Sequence, residues 1–276
     1  MKNKYDIMWL QSVDSTNDEA RRRISTLDNL SVLSAFCQTT GRGQRGNTWS
    51  AKAGENLTFS VVLKYDSESF QRIKAIDQFA VSEMAALAVI DLLAAYEIEA
   101  RVKWPNDIYV GERKICGILI ENSIREEMLA SSIIGIGLNV NQTEFDPSLP
   151  NPTSMALCNT SASWKSLPSL LEEFMDIFEG YRTRCQNNSD GFSWLRRQYL
   201  AKMWRMNETA RYIEYTGLPS GHLNAPVTIS FSADSGREFT GMIRGLTPAG
   251  NLLVEDLSVY PARIREFSFK EISYMI

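Results

Sequence analysis

The segment Thr40–Trp49 reads Thr-Gly-Arg-Gly-Gln-Arg-Gly-Asn-Thr-Trp, placing Arg42, Arg45 and Trp49 among Gly41, Gly43 and Gly46. Glycines so closely spaced bury nothing and cost backbone entropy to order, so they do not build a core. They let backbone N–H groups approach an anion, and arginine supplies a fork of donors matched to carboxylate or phosphate. A second block, Arg101–Asp107, contains Lys103-Trp104-Pro105-Asn106-Asp107. A third, Gly111–Glu121, carries Lys114 and Gly117 at the head of an apolar run. Together they suit an enzyme acting on a small molecule and a nucleotide. The loop alone is weak evidence: it matches neither the P-loop nor the dinucleotide glycine fingerprint, and a surface turn with incidental arginines is the bland alternative.

Each remaining polar group has a plain reading beside the chemical one. Ser15-Thr16-Asn17 opens a helix, with Glu19 near the capping-box position; capping alone explains it, as does a polar pocket beside a positive helix end. Pro105 keeps Trp104 extended, and Asn106-Asp107 favours a tight turn. Lys103 and Asp107 can meet one ligand across that turn, lysine on a phosphate and aspartate on a metal or cation, or simply flank an ordinary β-turn. Lys114 stands at a strand mouth, facing a ligand or snorkelling to water. Gly117 inside the strand marks a close approach. Ile133–Asn141 repeats the pattern, with glycines in a buried strand and Asn139 at its end; a core strand with a bulge is the alternative.

The elements that must position these groups follow from periodicity. Strands are expected at 7–13, 32–37, 57–63, 100–104, 107–110, 114–121 and 131–140. Helices are expected from about Asp14 to Ile24, 72–96, 167–184 and 192–202, the second apolar nearly all round and therefore central. This order predicts an α+β fold, a mixed-sheet catalytic domain with packed helices. A Gly/Pro-rich stretch near Thr216–Gly221 reads as a linker, giving domains 1–220 and 221–276. Short strands at 227–231, 238–244, 252–254 and 264–269 predict a small C-terminal β-barrel.

Composition narrows the classes. The chain has 276 residues, 44% hydrophobic and 22% charged, as in soluble globular proteins. A net charge of −4 disfavours a broad basic nucleic-acid surface, and Arg21-Arg22-Arg23 reads as a solvated helix face. Four scattered cysteines form neither a zinc pattern nor a disulfide framework, which fits a reducing cytoplasm. The start lacks the apolar core of a signal peptide, and the run Met84–Ile90 is too short to span a bilayer. The one histidine, His222, lies in a Gly/Pro-rich stretch, which disfavours a His-based triad or a His-rich metal site and leaves the chemistry to Lys, Arg, Asp and backbone.

Ser15-Thr16-Asn17, Gln38 before Gly41-Arg42-Gly43, Trp49, Lys103-Trp104-Pro105-Asn106-Asp107, Lys114-x-x-Gly117-Ile118-Leu119 and Gly-x-Asn139, in that order, resemble the biotin protein ligases. The resemblance runs from about Ser12 to Asn141 and continues loosely into an SH3-like C-terminal domain. It implies activation of biotin by ATP, with Mg²⁺, to biotinyl-5′-AMP, and transfer to a lysine of a biotin carboxyl carrier domain of a carboxylase. Arg42, Lys103, Asp107 and Lys114 are then the catalytic group. Ser15, Thr16, Asn17, Gln38, Gly41, Arg42, Gly43, Gln44, Lys114 and Gly117 line the biotin pocket, and Arg45, Trp49, Asn106 and Asn139 meet the nucleotide. Many members read Gly-Arg-Gly-Arg-Arg-Gly, whereas here Gln44 stands at the fourth place, keeping hydrogen bonding and losing charge. The stretch ahead of Ser15 is too short for the winged helix of repressor-type members, so neither DNA nor a membrane is expected as a partner; a homodimer is left open. A lipoate or octanoate transferase of related fold is the nearest alternative, but its histidine-containing motif is missing. An adaptor built on the C-terminal domain would leave the Arg42 loop unexplained, and a nucleic-acid regulator is disfavoured by charge.

Overall fold

Leu57–Lys64, rich in β-branched and aromatic residues, is buried along nearly its whole length and is an interior strand of its sheet, as its sequence requires. The computed structural model describes residues 4–65, 73–160, 166–215 and 236–275. In chain order the elements are β1 (Ile7–Leu10), α1 (Thr16–Arg23), β2 (Val32–Ala35), β3 (Leu57–Lys64), α2 (Phe79–Ala94), β4 (Arg101–Lys103), β5 (Asp107–Val110), β6 (Arg113–Arg125) and β7 (Met128–Leu138). Then come α3 (Met155–Cys158), α4 (Leu167–Asn187), α5 (Gly191–Ala201), β8 (Thr209–Tyr215), β9 (Gly236–Leu246), β10 (Leu252–Asp256), β11 (Arg263–Phe267) and β12 (Ile272–Tyr274).

The first seven strands form one mixed sheet in the order β1-β2-β3-β7-β6-β5-β4, with β1 parallel to β2 and the other pairs antiparallel. The α+β expectation is met. Helix α2 is buried on every side, Asp91 and Ala94 excepted, as its all-round apolar sequence requires. It starts at Phe79 rather than 72, because Lys74 bridges to Met128 and a 3₁₀ turn covers Ala75–Asp77. The β6–β7 hairpin is longer than expected: its polar outer residues, Glu121–Arg125, stay paired up to a turn in which Glu126 takes a positive φ of 57°.

Glu83 is the charged exception on α2. It is 1% exposed and paired with Arg196 of α5. Burial pushes its carboxyl up to about 7, against the lowering pull of Arg196. The folded value lies above the ordinary 4.5, so the native state holds this proton more tightly. Its contribution to stability is complete below that ordinary value and is lost as pH rises to about 7. Urea midpoints compared at about pH 5 and about pH 8 should show this loss in the parent, and Glu83→Gln should flatten it.

The chain divides into two compact units, Met1–Lys202 and Met203–Ile276. The division precedes the expected boundary at 220. Thr209–Tyr215, assigned by sequence to the first domain, pairs with β9 and β12 of the second sheet. The linker expected at 216–221 and the strand expected at 227–231 lie outside the described residues, apart from what flanks them. Among the described residues the second unit forms a five-stranded antiparallel sheet, ordered β11-β10-β9-β8-β12. Tyr212, Phe239 and Phe267 stack through its core. The fully buried Asp256 accepts from Arg265, which also pairs with Glu214 and lies over Phe239 and Phe267. Among the described residues no helix is long and apolar enough to cross a membrane.

Candidate functional site

Helix α1 follows β1 after a short connection, and its start is buried at Ser15, Thr16 and Asn17. Ser15 occupies the cap position yet makes no side-chain cap bond, so capping does not account for this trio. Thr16 donates to Gln38 Oε1 through its backbone N at 2.8 Å and through Oγ1 at 3.1 Å. Ser60 Oγ lies 2.8 Å from Thr16 Oγ1 and 2.6 Å from Asn17 Oδ1. Asn17 Nδ2 donates to the Leu119 carbonyl at 3.2 Å and to Glu121 Oε2 at 2.9 Å. A Cβ on Gly135 would lie 2.3 Å from Asn17 Oδ1, which explains a glycine there. The result is a polar floor built from α1, β3 and β6.

The Arg42 loop folds back on itself between β2 and β3. Gly43 N donates to the Asn47 carbonyl at 2.7 Å, Trp49 N donates to the Gly41 carbonyl at 2.8 Å, and Gln44–Gly46 forms one 3₁₀ turn. A Cβ on Gly41 would lie 2.3 Å from the Trp49 carbonyl oxygen, so only glycine fits. Arg42 donates to Asp18 Oδ1 at 2.7 Å and to Glu121 Oε1 at 3.2 Å. The side chain of Arg45 lies outside the described groups.

Beside this floor, the Trp49 indole lies across two glycines paired in adjacent strands, Gly117 of β6 and Gly137 of β7. Lys114 Nζ stands 5.7 Å from the indole centroid and 2.8 Å from Asp107 Oδ1. Strand pairing β5–β6 brings Asp107 opposite Gly117, which is how residues in separate sequence blocks become one constellation. Lys103 donates to the Tyr109 hydroxyl at 3.0 Å and sits 4.6 Å from that ring's centroid. Asn106 is buried, and its amide donates to the Ile118 carbonyl, pinning the β4–β5 turn to β6. Asn139 Nδ2 donates to the Thr153 carbonyl at 2.9 Å. Two buried polar atoms here, Trp49 Nε1 and Asn139 Oδ1, have no hydrogen-bond partner. Such orphans are rare in folded proteins and call for an explanation.

The residues singled out by sequence thus fall into two adjoining groups along β6, one around Asn17, Gln38 and Arg42, the other around Trp49, Asp107 and Lys114. Sequence reasoning missed Asp18, Ser60 and Glu121. Asp18 stands within the helix-opening segment with no signal of its own, and Ser60 is one residue of a strand read as buried. Glu121 carried the one usable signal, a carboxylate closing an apolar run. Arg21 and Arg22 are exposed, as expected for a solvated helix face; Arg21 also donates to Asp18 Oδ1 at 2.6 Å and to Glu121, whereas Arg22 and Arg23 pair with Glu19. All four cysteines are free, and burial pushes the Cys116 thiol up, so it stays protonated beside the site. Among the described residues no three His, Cys, Asp or Glu gather to hold a metal.

Residues 9–139 match the biotin/lipoate A/B protein ligase family. A bifunctional ligase/repressor, BirA, of Bacillus spizizenii is 37% identical over 110 residues, 40% of this chain and 32% of that protein. Its Escherichia coli counterpart is 33% identical over 142 residues and is matched over 43% of its length, so the chain spans well under half of these relatives. Biotin protein ligase from Aquifex aeolicus, solved in complex with biotin and ATP, shares the fold with a TM-score of 0.67 at 24% identity, covering 96% of this chain and all of that one. The biotin–[acetyl-CoA-carboxylase] ligase of Paracoccus denitrificans is 31% identical over 222 residues, 77% of this chain and 86% of the relative. Since that likeness extends well beyond the motif region and along most of both proteins, the chain belongs to the biotin protein ligases within the biotin/lipoate A/B family.

Proposed function

We propose that this chain joins biotin to ATP, forming biotinyl-5′-AMP, and then passes the biotinyl group to a lysine of a biotin carboxyl carrier domain. The observation that carries the reading is the Trp49–Gly117–Gly137 stack flanked by Lys114 and Asp107, beside a separate polar floor. One part suits a flat base and its phosphates, the other a small polar heterocycle. In the first step a biotin carboxylate oxygen attacks the α-phosphorus, and the bond to the bridging oxygen breaks, releasing pyrophosphate with the electron pair. Two anions must meet, so positive charge has to be placed where the transition state develops it. Arg42, Lys103 and Lys114 supply it, with Asp107 holding Lys114. In the second step a neutral lysine nitrogen attacks the carbonyl carbon of the mixed anhydride, AMP leaves and the nitrogen loses a proton.

Ser15, Thr16, Asn17 and Gln38, with the Gly41–Gln44 backbone, line the biotin side, and Gly117, under the Trp49 indole, lies where the biotin and nucleotide sides meet. Trp49, Asn139 and Arg45 serve the nucleotide side. Asn106 acts there through the turn it pins. The unspent Trp49 N–H and Asn139 carbonyl are a donor and an acceptor suited to a purine. Magnesium would enter with the nucleotide, because it takes one or two carboxylates plus phosphate oxygens; Asp107 offers the carboxylate, and the ion would offset phosphate charge. The lipoate alternative is disfavoured by the extent of the Paracoccus likeness, and the free cysteines suit a reducing cytoplasm.

Incubation with radiolabelled biotin, ATP–Mg²⁺ and a carrier domain should label the carrier only when ATP is present; an unlabelled carrier would sink the reading. The glycine-rich loop should also order on its ligands. Trypsin cleavage after Arg42 is therefore expected to slow when biotin and ATP are added together, and an unchanged rate counts against loop closure.

A further inference from the structure

Arg42 and Arg21 share the same two carboxylate oxygens. Asp18 Oδ1 accepts from Arg21 at 2.6 Å and from Arg42 at 2.7 Å. Glu121 Oε1 accepts from Arg21 and, at 3.2 Å, from Arg42. Glu121 also takes the Asn17 amide on its second oxygen. The four charged groups sum to zero. An arginine so paired is not available to a ligand anion until it leaves its carboxylates, and leaving two partly exposed carboxylates side by side without a counter-charge carries a modest cost. Arg21 removes most of that cost. When Arg42 departs, both oxygens keep a guanidinium.

From this sharing we infer that Arg21 is a positioning residue: it holds Asp18 and Glu121 neutralised so that Arg42 can exchange them for the anions that meet in adenylate formation. The inference rests on the biotin-activation reading for the identity of those anions, while the exchange itself is a property of the unliganded chain. Its sign is opposite to that of an ordinary stabilising ion pair. Without Arg21, two carboxylates face Arg42 alone and hold it harder. Without the Glu121 charge, Arg42 is held less.

Two measurements test it on the full chain. In the first, trypsin cleavage after Arg42 is followed by mass spectrometry without ligand. Arg21→Gln should slow it roughly threefold and Glu121→Gln should speed it by a similar factor, the scale of half-exposed ion pairs. The double variant, with Arg42 facing Asp18 alone, should return towards the parent. In the second, biotin-dependent pyrophosphate exchange should show a raised KM for biotin in Arg21→Gln with kcat nearly unchanged, and the double variant should restore KM. Faster cleavage in Arg21→Gln, or a double variant cleaved as slowly as Arg21→Gln alone, overturns the inference. A parent chain without biotin-dependent exchange overturns the functional reading instead, and the cleavage order in unliganded protein still decides the role of Arg21.

Discussion

Lys114→Ala is expected to slow biotin-dependent pyrophosphate exchange by roughly two to three powers of ten, the scale for removing a preorganised charge aimed at a transition state. The ammonium is held 2.8 Å from Asp107 and 5.7 Å from the Trp49 ring centroid, at the junction of the two halves of the site. The fold should survive. The backbone bonds of residue 114, its N–H to the Asn151 carbonyl and its carbonyl to the Thr153 N–H, do not depend on the side chain. Asp107, left without its partner, is 28% exposed and can be solvated. The loss should therefore appear in the exchange rate with an unchanged circular dichroism spectrum. A rate within a few-fold of the parent removes Lys114 from the mechanism.

Gly137→Ala, a change of one methyl group, should cost about two powers of ten in adenylate formation. The added Cβ would lie 2.3 Å from Trp49 Cε2 and 2.4 Å from Nε1, atoms of a rigid ring that cannot fold away. Opposite it, Gly117 already leaves the indole only 3.1 Å from a Cβ position. The indole must lift off the sheet, and a displacement of about 1 Å in a positioned site is worth about that much rate. The strand itself should gain, since alanine loses less backbone entropy than glycine. A double-mutant cycle isolates the cause. In a Trp49→Ala background, Gly137→Ala should have little further effect. Full additivity of the two losses would show that the glycine acts by some route other than the indole.

The residue types and their order along the chain already determined the family resemblance, the α+β class, the central, mostly apolar helix and most of the strands of the large sheet. Those features are local. Strand and helix periodicity, the turn chemistry of Pro105-Asn106-Asp107 and the glycine spacing at 41–46 are all written within a few residues of one another. The Glu121–Arg125 end of β6 was not legible because its pattern is polar and only pairing with β7 keeps it extended. Strand β8 was missed for a similar reason: Thr209–Tyr215 joins a second sheet through partners from residue 236 onward.

Tertiary structure alone decided which charges meet. Nothing near Arg42 in sequence announces Glu121, 79 positions away, or places Arg21 on the same two oxygens. Nothing about Gly137 says that an indole from position 49 lies on it. Such pairings follow from strand register and helix docking, which depend on long-range burial rather than on neighbouring residues. The sequence by itself determined which groups were available for the chemistry, because reactivity belongs to residue type. Only the folded sheet decided their partners, because Coulomb energy and packing depend on distances that the chain sets after it has folded.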